Sequence, residues 1–320
     1  MRISVILCTY NRSGSLVHAL ESVAASRMQD AADWQVLIVD NNSKDDTRDV
    51  ADSFCRREPN HFRYVFEARQ GKSFALNRGI REAFGDVLAF IDDDIIVEPN
   101  WLSELTRPLS DPQWAGTGGR VYLPKNFSPP SWMAIDGDQS LLSILALFDQ
   151  GSEPCLLSKA PIGNNMAFRK EVFAKYGGFR TDLGPVPGSE IRYEDTEFGS
   201  RVMRGGEKIL YVPSAVVRHA VEERRLKKEY FLTYHFDYGR ALIREKGSRG
   251  PVGFVPRSLV SFSNRLLNML PRRTWWWLRE GDPRKRFSNK CNVWTTAGEI
   301  TEICRRSFNR DRNSETDLKS

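Results

Sequence analysis

Long apolar runs are missing from this sequence. The longest uncharged ones, Val87 to Ile91 and Leu141 to Phe148, fall far short of the roughly 18 residues a membrane-spanning helix needs. The N-terminus is equally poor. Arg2 is followed only by Ile3 to Cys8 before Tyr10-Asn11-Arg12 turns polar, too short for the apolar stretch of a secretory leader, so the chain is expected to stay in the cytoplasm. Cysteine is scarce: five residues, at 8, 55, 155, 291 and 304, odd in number and without a CxxC pair, which argues against a disulfide framework and against a zinc site. What is present is the composition of a globular chain. With 320 residues, 40% hydrophobic and 28% charged, it has enough apolar material for one large core or two smaller ones, and whole-chain disorder, collagen and coiled coil are excluded. The net charge of +6 is unevenly spread. Residues 218–320 hold 23 Lys and Arg against 12 Asp and Glu, and the remainder holds 24 against 29, so a mildly acidic body carries a basic tail. Basic surfaces of this kind meet nucleic acid or anionic lipid. No helix-turn-helix, zinc or RNA-binding signature accompanies the charge, and nucleic acid is not expected as a partner.

The first hundred residues repeat one rhythm. Ile3 to Cys8 reads as a strand, Thr9 to Ser13 as a loop, and Leu16, Leu20 and Val23 fall at helical spacing. Gln35 to Val39 is a second strand with a loop at 40–46 and a helix from Thr47 to Arg57. Phe62 to Phe66 is a third strand, Gly71 opens a helix through Ala75 and Ile80, and Val87 to Ile91 is a buried strand ending in Asp92-Asp93-Asp94. Apolar, unalternating strands separated by helices predict a doubly wound, Rossmann-like, mainly parallel α/β sheet with helices on both faces. In such sheets ligands lie outside the carboxyl ends of the strands, where Thr9 to Arg12, Asp40 to Ser43 and the three aspartates all fall. After Pro112 the rhythm loosens into glycine- and proline-marked loops and a mixed region to about Val217.

Three consecutive aspartates after a buried strand resist joint ionisation unless something cationic neutralises them. Mg²⁺ or Mn²⁺ is the simplest remedy, since such ions are commonly held by one or two carboxylates together with substrate phosphates. A solvated acidic turn, and the aspartate chemistry of haloacid-type phosphatases or response regulators, remain open on the triplet alone. The phosphatase arrangement places its DxD after the first strand, where this chain has Cys8-Thr9-Tyr10.

In order along the chain, Val5-Ile-Leu-Cys-Thr-Tyr-Asn-Arg12, Val39-Asp-Asn-Asn-Ser43, Gly71 to Asn77, Asp92-Asp-Asp94 and Glu194-Asp195 resemble the inverting family 2 glycosyltransferases of the GT-A fold, over roughly residues 1–220. The resemblance implies a catalytic domain at 1–219, with a nucleotide-binding half (1–115) and an acceptor half (116–219), followed by a basic, mainly helical extension at 220–320. It implies an enzyme moving a sugar from a nucleotide-sugar donor, UDP- more than GDP-linked, to a hydroxyl of a glycan or lipid-linked saccharide, with Mg²⁺ or Mn²⁺ as cofactor. By the same resemblance Thr9, Tyr10 and Asp40 hold the nucleotide base, Arg12 and Lys72 neutralise the diphosphate, and Asn77 steadies the ribose side. Asp92 and Asp94 supply the DxD contacts to ribose and metal, with Asp93 making their assignment ambiguous. Asn164 and Asn165, in Gly163 to Phe168, line the donor-sugar and acceptor pocket. Asp195 is the base, Glu194 its acidic neighbour, and His219 is placed to reach the metal or a phosphate.

Two other function classes compete. A sugar nucleotidyltransferase also uses acidic metal ligands but usually opens with a glycine-rich loop, absent from Val5 to Ser15. A non-catalytic, membrane-associated binding module is the other. In the extension, Glu222 to Lys246 is predicted as a charged helix carrying Tyr230, Tyr234 and Tyr238 on one side. Arg257 to Leu270 is predicted as an amphipathic helix, with Leu259, Phe262, Leu266 and Leu270 flanked by Arg257, Arg265, Arg272 and Arg273. Trp275-Trp-Trp277 follows. Residues 257–277 thus have the composition of a segment lying on an anionic membrane surface or packed as an ordinary helix, and the protein is expected to be cytoplasmic or peripheral on the cytosolic face.

Overall fold

A computed structural model of the chain describes residues 1–26, 33–189, 191–246 and 260–317, with side chains to residue 307. It divides into two compact units. One comprises Met1–Phe127, Leu145–Pro187 and Glu194–Val221; the other comprises Ser128–Ile144, Gly188–Tyr193 and Glu222–Ser320. Nothing in the composition of 128–144 or 188–193 marks them as belonging with the basic tail.

The first unit is built on a sheet of nine strands among the described residues. Strands β1 (Ile3–Thr9), β2 (Trp34–Asp40), β3 (Phe62–Phe66) and β4 (Val87–Asp92) alternate with helices α1 (Ser13–Ala24), α2 (Thr47–Arg57) and α3 (Lys72–Glu82). Then come β5 (Ile95–Val97), α4 (Trp101–Thr106), β6 (Trp114–Tyr122), β7 (Cys155–Leu156), β8 (Met166–Arg169), α5 (Lys170–Tyr176), α6 (Glu194–Arg204) and β9 (Lys208–His219). The order across the sheet is β3-β2-β1-β4-β8-β6-β9-β5, with β7 on β9. β1 to β4 run parallel, β8 is inserted antiparallel between β4 and β6, and β6 and β9 resume the first direction. β9 runs for twelve residues, and its last three pair with β5 on the edge away from β6, His219 meeting Ile95.

Successive residues of the central strands enter different cores. Val5, Leu7, Val36, Ile38, Ala89 and Ile91 pack on one face with Leu16 and Leu20 of α1 and Trp101 of α4. Ile6, Cys8, Leu37, Val39, Leu88 and Phe90 pack on the other with Leu76 of α3, Phe173 of α5 and Phe198 of α6. Burial on both faces is why these strands read as continuous apolar runs. Phe198 stacks on Phe173 at 4.6 Å and meets Phe168 edge-on at 5.1 Å, which fixes where α6 begins and so where Glu194 and Asp195 stand.

The second unit is helical. Glu223–Leu226 is a short 3₁₀ turn, and α7 spans Lys228–Lys246, so the expected helix starts six residues later than Glu222. Of the helix expected at Arg257 to Leu270, Arg257 and Leu259 lie outside the described residues. Helical backbone from 260 passes through a π-turn at Arg265–Met269 into α8 (Leu270–Arg279), so the three tryptophans lie on the helix rather than after it. Arg265, expected on its flank, is buried. α9 (Pro283–Asp317) closes the unit.

Candidate active site

The parallel strands end together. Thr9 of β1 is in register with Asp40 of β2, and Cys8 with Asp92 of β4, so loops 31 to 84 residues apart in sequence emerge side by side. Asp93 and Asp94 are both buried just beyond β4. Thr9 Oγ1 donates to Asp93 at 2.8 Å, and one guanidinium nitrogen of Arg12 donates to Asp93 and to Asp94, each at 2.9 Å. Burial pushes the Asp93 carboxyl above the usual carboxylate range; Arg12 opposes this and the like charge of Asp94 adds to it.

His219 completes this corner from the far end of β9. Its Nδ1 lies 2.9 Å from the Leu145 carbonyl, which only accepts, so Nδ1 carries the proton and Nε2 is the atom 3.4 Å from Asp94. A carboxylate facing an imidazole nitrogen whose other nitrogen is pinned by a carbonyl is the donor chemistry of a divalent-cation site. The residues therefore fit the expected metal. Among the described residues no three His, Cys, Asp or Glu converge, so Asp94 and His219 would leave most of the coordination shell to a ligand and water.

A second acidic pair lies across Lys72, the first residue of α3. Its ammonium is 2.6 Å from Asp92 and 3.7 Å from Glu194. Burial alone would lower the Lys72 pKa, but the carboxylates of Asp92, Glu194 and Asp195 more than offset it and hold the ammonium charged. Glu194 is buried, one of its oxygens has no hydrogen-bond partner, and burial raises its pKa to about 7 against the pull of Lys72. Asp195 is arranged differently. One oxygen accepts from the Gly163 N–H at 2.6 Å and the other from the Thr196 N–H at 2.6 Å. A Cβ on Gly163 would sit 2.9 Å from the Asp195 carboxylate, so the approach needs glycine there. Asn164, next to it, is buried with its amide oxygen unpartnered. Tyr193, immediately before α6, has φ of 92°, a left-handed backbone that costs an aromatic residue about 1–3 kcal/mol.

A chain with these strand ends can be compared with known proteins. The family model described as glycosyl transferase family 2 matches residues 4–177. This chain belongs to glycosyl transferase family 2. Among its relatives, a glucosyl-dolichyl phosphate glucuronosyltransferase of Haloferax volcanii is 26% identical, with 75% of each chain covered. The glycosyltransferase AglE of the same organism is 31% identical over 71% of this chain and 70% of its own. The solved mannosyltransferase PcManGT of Pyrobaculum calidifontis, in complex with GDP-Man and Mn²⁺, is 19% identical with a TM-score of 0.63, covering 94% of this chain and 87% of that one. That likeness shows the fold, which is GT-A.

The remaining expected residues of this family 2 glycosyltransferase divide in two. Tyr10 is 37% exposed, and Asp40 is buried, accepting from the Ser43 N–H at 2.9 Å and the Tyr64 hydroxyl at 2.8 Å. Burial and the neighbouring Asp40 push the Tyr64 hydroxyl up to about 12. Asn77 and Asn165 are committed elsewhere. The Asn77 amide exchanges bonds with the Phe179 backbone at 2.7 and 2.8 Å. Asn165 accepts from the Trp101 indole at 2.8 Å and donates to the Arg120 and Ala215 carbonyls at 2.9 and 2.8 Å. Both amides act as staples between segments of the fold. The residue overlooked in the sequence is Asn41. Its amide donates to the Arg69 and Glu67 carbonyls at 2.6 and 3.2 Å and accepts from the Gly71 N–H at 2.8 Å, fastening the turn before α3 to the end of β2. Its position directly after Asp40 at a strand end was the available signal.

Proposed function

We propose that residues 1–219 catalyse inverting, metal-dependent transfer of a sugar from a nucleotide-sugar donor to a hydroxyl of a glycan or lipid-linked saccharide, in the synthesis of a polysaccharide or glycoconjugate. The observation that carries the reading is the meeting, at the ends of β1, β2 and β4, of a metal-type corner (Asp94, His219) and an anchored carboxylate (Asp195), joined through Asp92, Lys72 and Glu194. In the reaction the acceptor oxygen attacks the anomeric carbon as its bond to the nucleotide diphosphate breaks. The acceptor proton passes to Asp195, whose two backbone N–H donors orient the carboxylate. Lys72 and Arg12 offer positive charge to the diphosphate, Tyr10 a ring for the base, and Asp40 an acceptor for a ring N–H of uracil or guanine. Asp94 and His219 would hold Mg²⁺ or Mn²⁺, which when bound supplies charge neutralisation to the leaving diphosphate. Asp92, beside Lys72, is the ribose-side aspartate.

The PcManGT complex holds GDP-Man and Mn²⁺, which supports a nucleotide sugar with a divalent metal. The name of the Haloferax volcanii glucuronosyltransferase supports a lipid-linked acceptor. Among the described residues no helix is long and apolar enough to cross a membrane, so a lipid-linked acceptor would be met at a surface, on the cytosolic side in this reading. The test is a thermal-shift panel of UDP and GDP, each with and without Mn²⁺, on the native chain and on Asp94→Asn. A nucleotide shift enhanced by Mn²⁺ in the native chain and lost in the variant is expected. Equal shifts in both proteins would remove the metal corner from the function.

A further inference from the structure

The helical unit encloses several of its ion pairs and exposes two of its tryptophans. Arg265 donates to Glu299 at 2.9 Å, Arg240 and Arg244 reach Glu302 at 3.2 and 2.9 Å, and Arg240 also pairs with Asp237 at 2.8 Å. Arg265, Asp237, Glu299 and Glu302 are all buried. At the crossing of α7 and α9 the backbones nearly touch: a Cβ on Gly239 would lie 2.0 Å from the Thr295 carbonyl oxygen, and one on Gly298 1.9 Å from that of Phe236.

The outer side of the stretch from 260 to 279 is the converse. Val260, Leu267 and Leu278 are about two-thirds exposed or more, at 71%, 69% and 67%, and Trp275 and Trp276 are half exposed. Trp277 turns inward onto Trp294, so the outward display belongs to two of the three indoles. A helix facing water presents charge outward and buries its apolar side chains. Ion pairs enclosed between helices cost desolvation that an apolar core would not. Basic residues stand among these apolar ones: at about 100° per residue Arg272 and Arg279 fall between Trp275 and Trp276 on the surface of α8. Between 270 and 290 seven Lys and Arg stand against two acids, Glu280 and Asp282. Arg272, Arg279, Arg284, Lys285 and Arg286 are exposed, with the Arg279 guanidinium 4.8 Å from the Trp275 ring.

From this we infer that the face carrying Val260, Leu267, Trp275, Trp276 and Leu278 docks on an anionic phospholipid membrane. The segment lies along the headgroup boundary with its indoles and leucines inserted and the arginines on lipid phosphates. Charge complementarity selects lipid over an uncharged apolar partner, and half-exposed indoles beside arginines suit a boundary that is apolar on one side and wet on the other. The docking does not depend on the transferase reading, since it needs neither donor nor metal.

The experiment is sedimentation of the full chain with vesicles of phosphatidylcholine alone or mixed with about one third phosphatidylglycerol, at rising salt. The chain should pellet with the mixed vesicles at low salt, be released as screening increases, and show blue-shifted tryptophan emission when bound. Arg272→Gln with Arg279→Gln should weaken binding at low salt by about fivefold per residue. Trp275→Ala with Trp276→Ala should weaken it on the order of tenfold, at high salt as well, because what is lost is apolar area. All four side chains are exposed, and circular dichroism checks that the variants fold. No pelleting with the mixed vesicles at low salt would overturn the inference. So would unchanged pelleting of the tryptophan variant, or a dimer in light scattering that this variant abolishes, which would make a second copy the occupant.

Discussion

Glu194 allows the electrostatics of the site to be tested without any substrate. Its carboxyl ordinarily titrates at 4.5 and is raised to about 7 by burial, so the folded chain binds that proton more tightly than the unfolded chain does. Between those values the native state carries the extra proton, and stability falls as pH rises. The contribution is fully present below pH 4.5 and lost above about 7. The interval from 4.5 to about 7 is worth about 3 kcal/mol at roughly 1.4 kcal/mol per pH unit, and Glu194 is too buried for solvent to discount it much. Glu194→Gln removes the ionisation while keeping shape and a carbonyl oxygen toward Lys72. It should therefore stabilise the chain by up to about 3 kcal/mol near pH 8 and by almost nothing near pH 4.5. For 320 residues unfolding cooperatively that is a rise in Tm of about 5 °C. Thermal melts of both proteins at the two pH values, followed by near-UV circular dichroism without ligand, decide it. A variant less stable than the native chain near pH 8, or one that gains equally at both, would refute the argument, because either result means that Glu194 is not a carboxyl kept neutral by burial.

Asp195→Asn should lower transfer by about 10² to 10⁴ while leaving donor affinity in calorimetry unchanged, since only the acceptor proton is at stake; a loss of that size in Glu194→Gln with Asp195→Asn active would move the base by one residue. Asn165→Ala should cost about 3 kcal/mol in urea unfolding, because it strands the Trp101 indole and two carbonyls, yet leave nucleotide affinity of the folded chain intact. Weaker nucleotide binding there would return Asn165 to the site. Gly79→Ala should destabilise by about 1–3 kcal/mol, because the new methyl would lie 2.6 Å from Ile6 in the core between α3 and β1; a neutral result in the same titration would show that the contact relaxes.

The first hundred residues were readable because their physics is local. Val36 to Val39 and Val87 to Ile91 are buried on both faces, and such strands announce themselves as apolar runs; α2 and β3 fall at the residues their periodicity marks. β8 could not be read so easily. Four residues acquire their place from neighbours 76 to 82 and 48 to 52 residues away, and nothing in Met166–Arg169 says that it runs antiparallel. Amides posed the same difficulty in the site. Asn41, Asn77, Asn164 and Asn165 look alike in sequence, yet three are spent holding other parts of the chain and Asn164 keeps a buried, unpartnered oxygen. In the tail, net charge was legible but its direction was not: Arg265 points in and Arg272 out, seven residues apart, with a π-turn between them that shifts the helical phase.

The Asn41 fastening bears on the entropy of binding. Its N–H bonds the Thr9 carbonyl at 2.9 Å while its side chain holds the turn at Glu67 to Gly71, so the ends of β1 and β2 and the entry to α3 form one hydrogen-bonded rim before any ligand arrives. The loss of backbone freedom at that rim belongs to folding rather than to association. A small molecule seated there gives up mainly its own rotation and translation, and its affinity follows from contacts rather than from the cost of arranging loops around it.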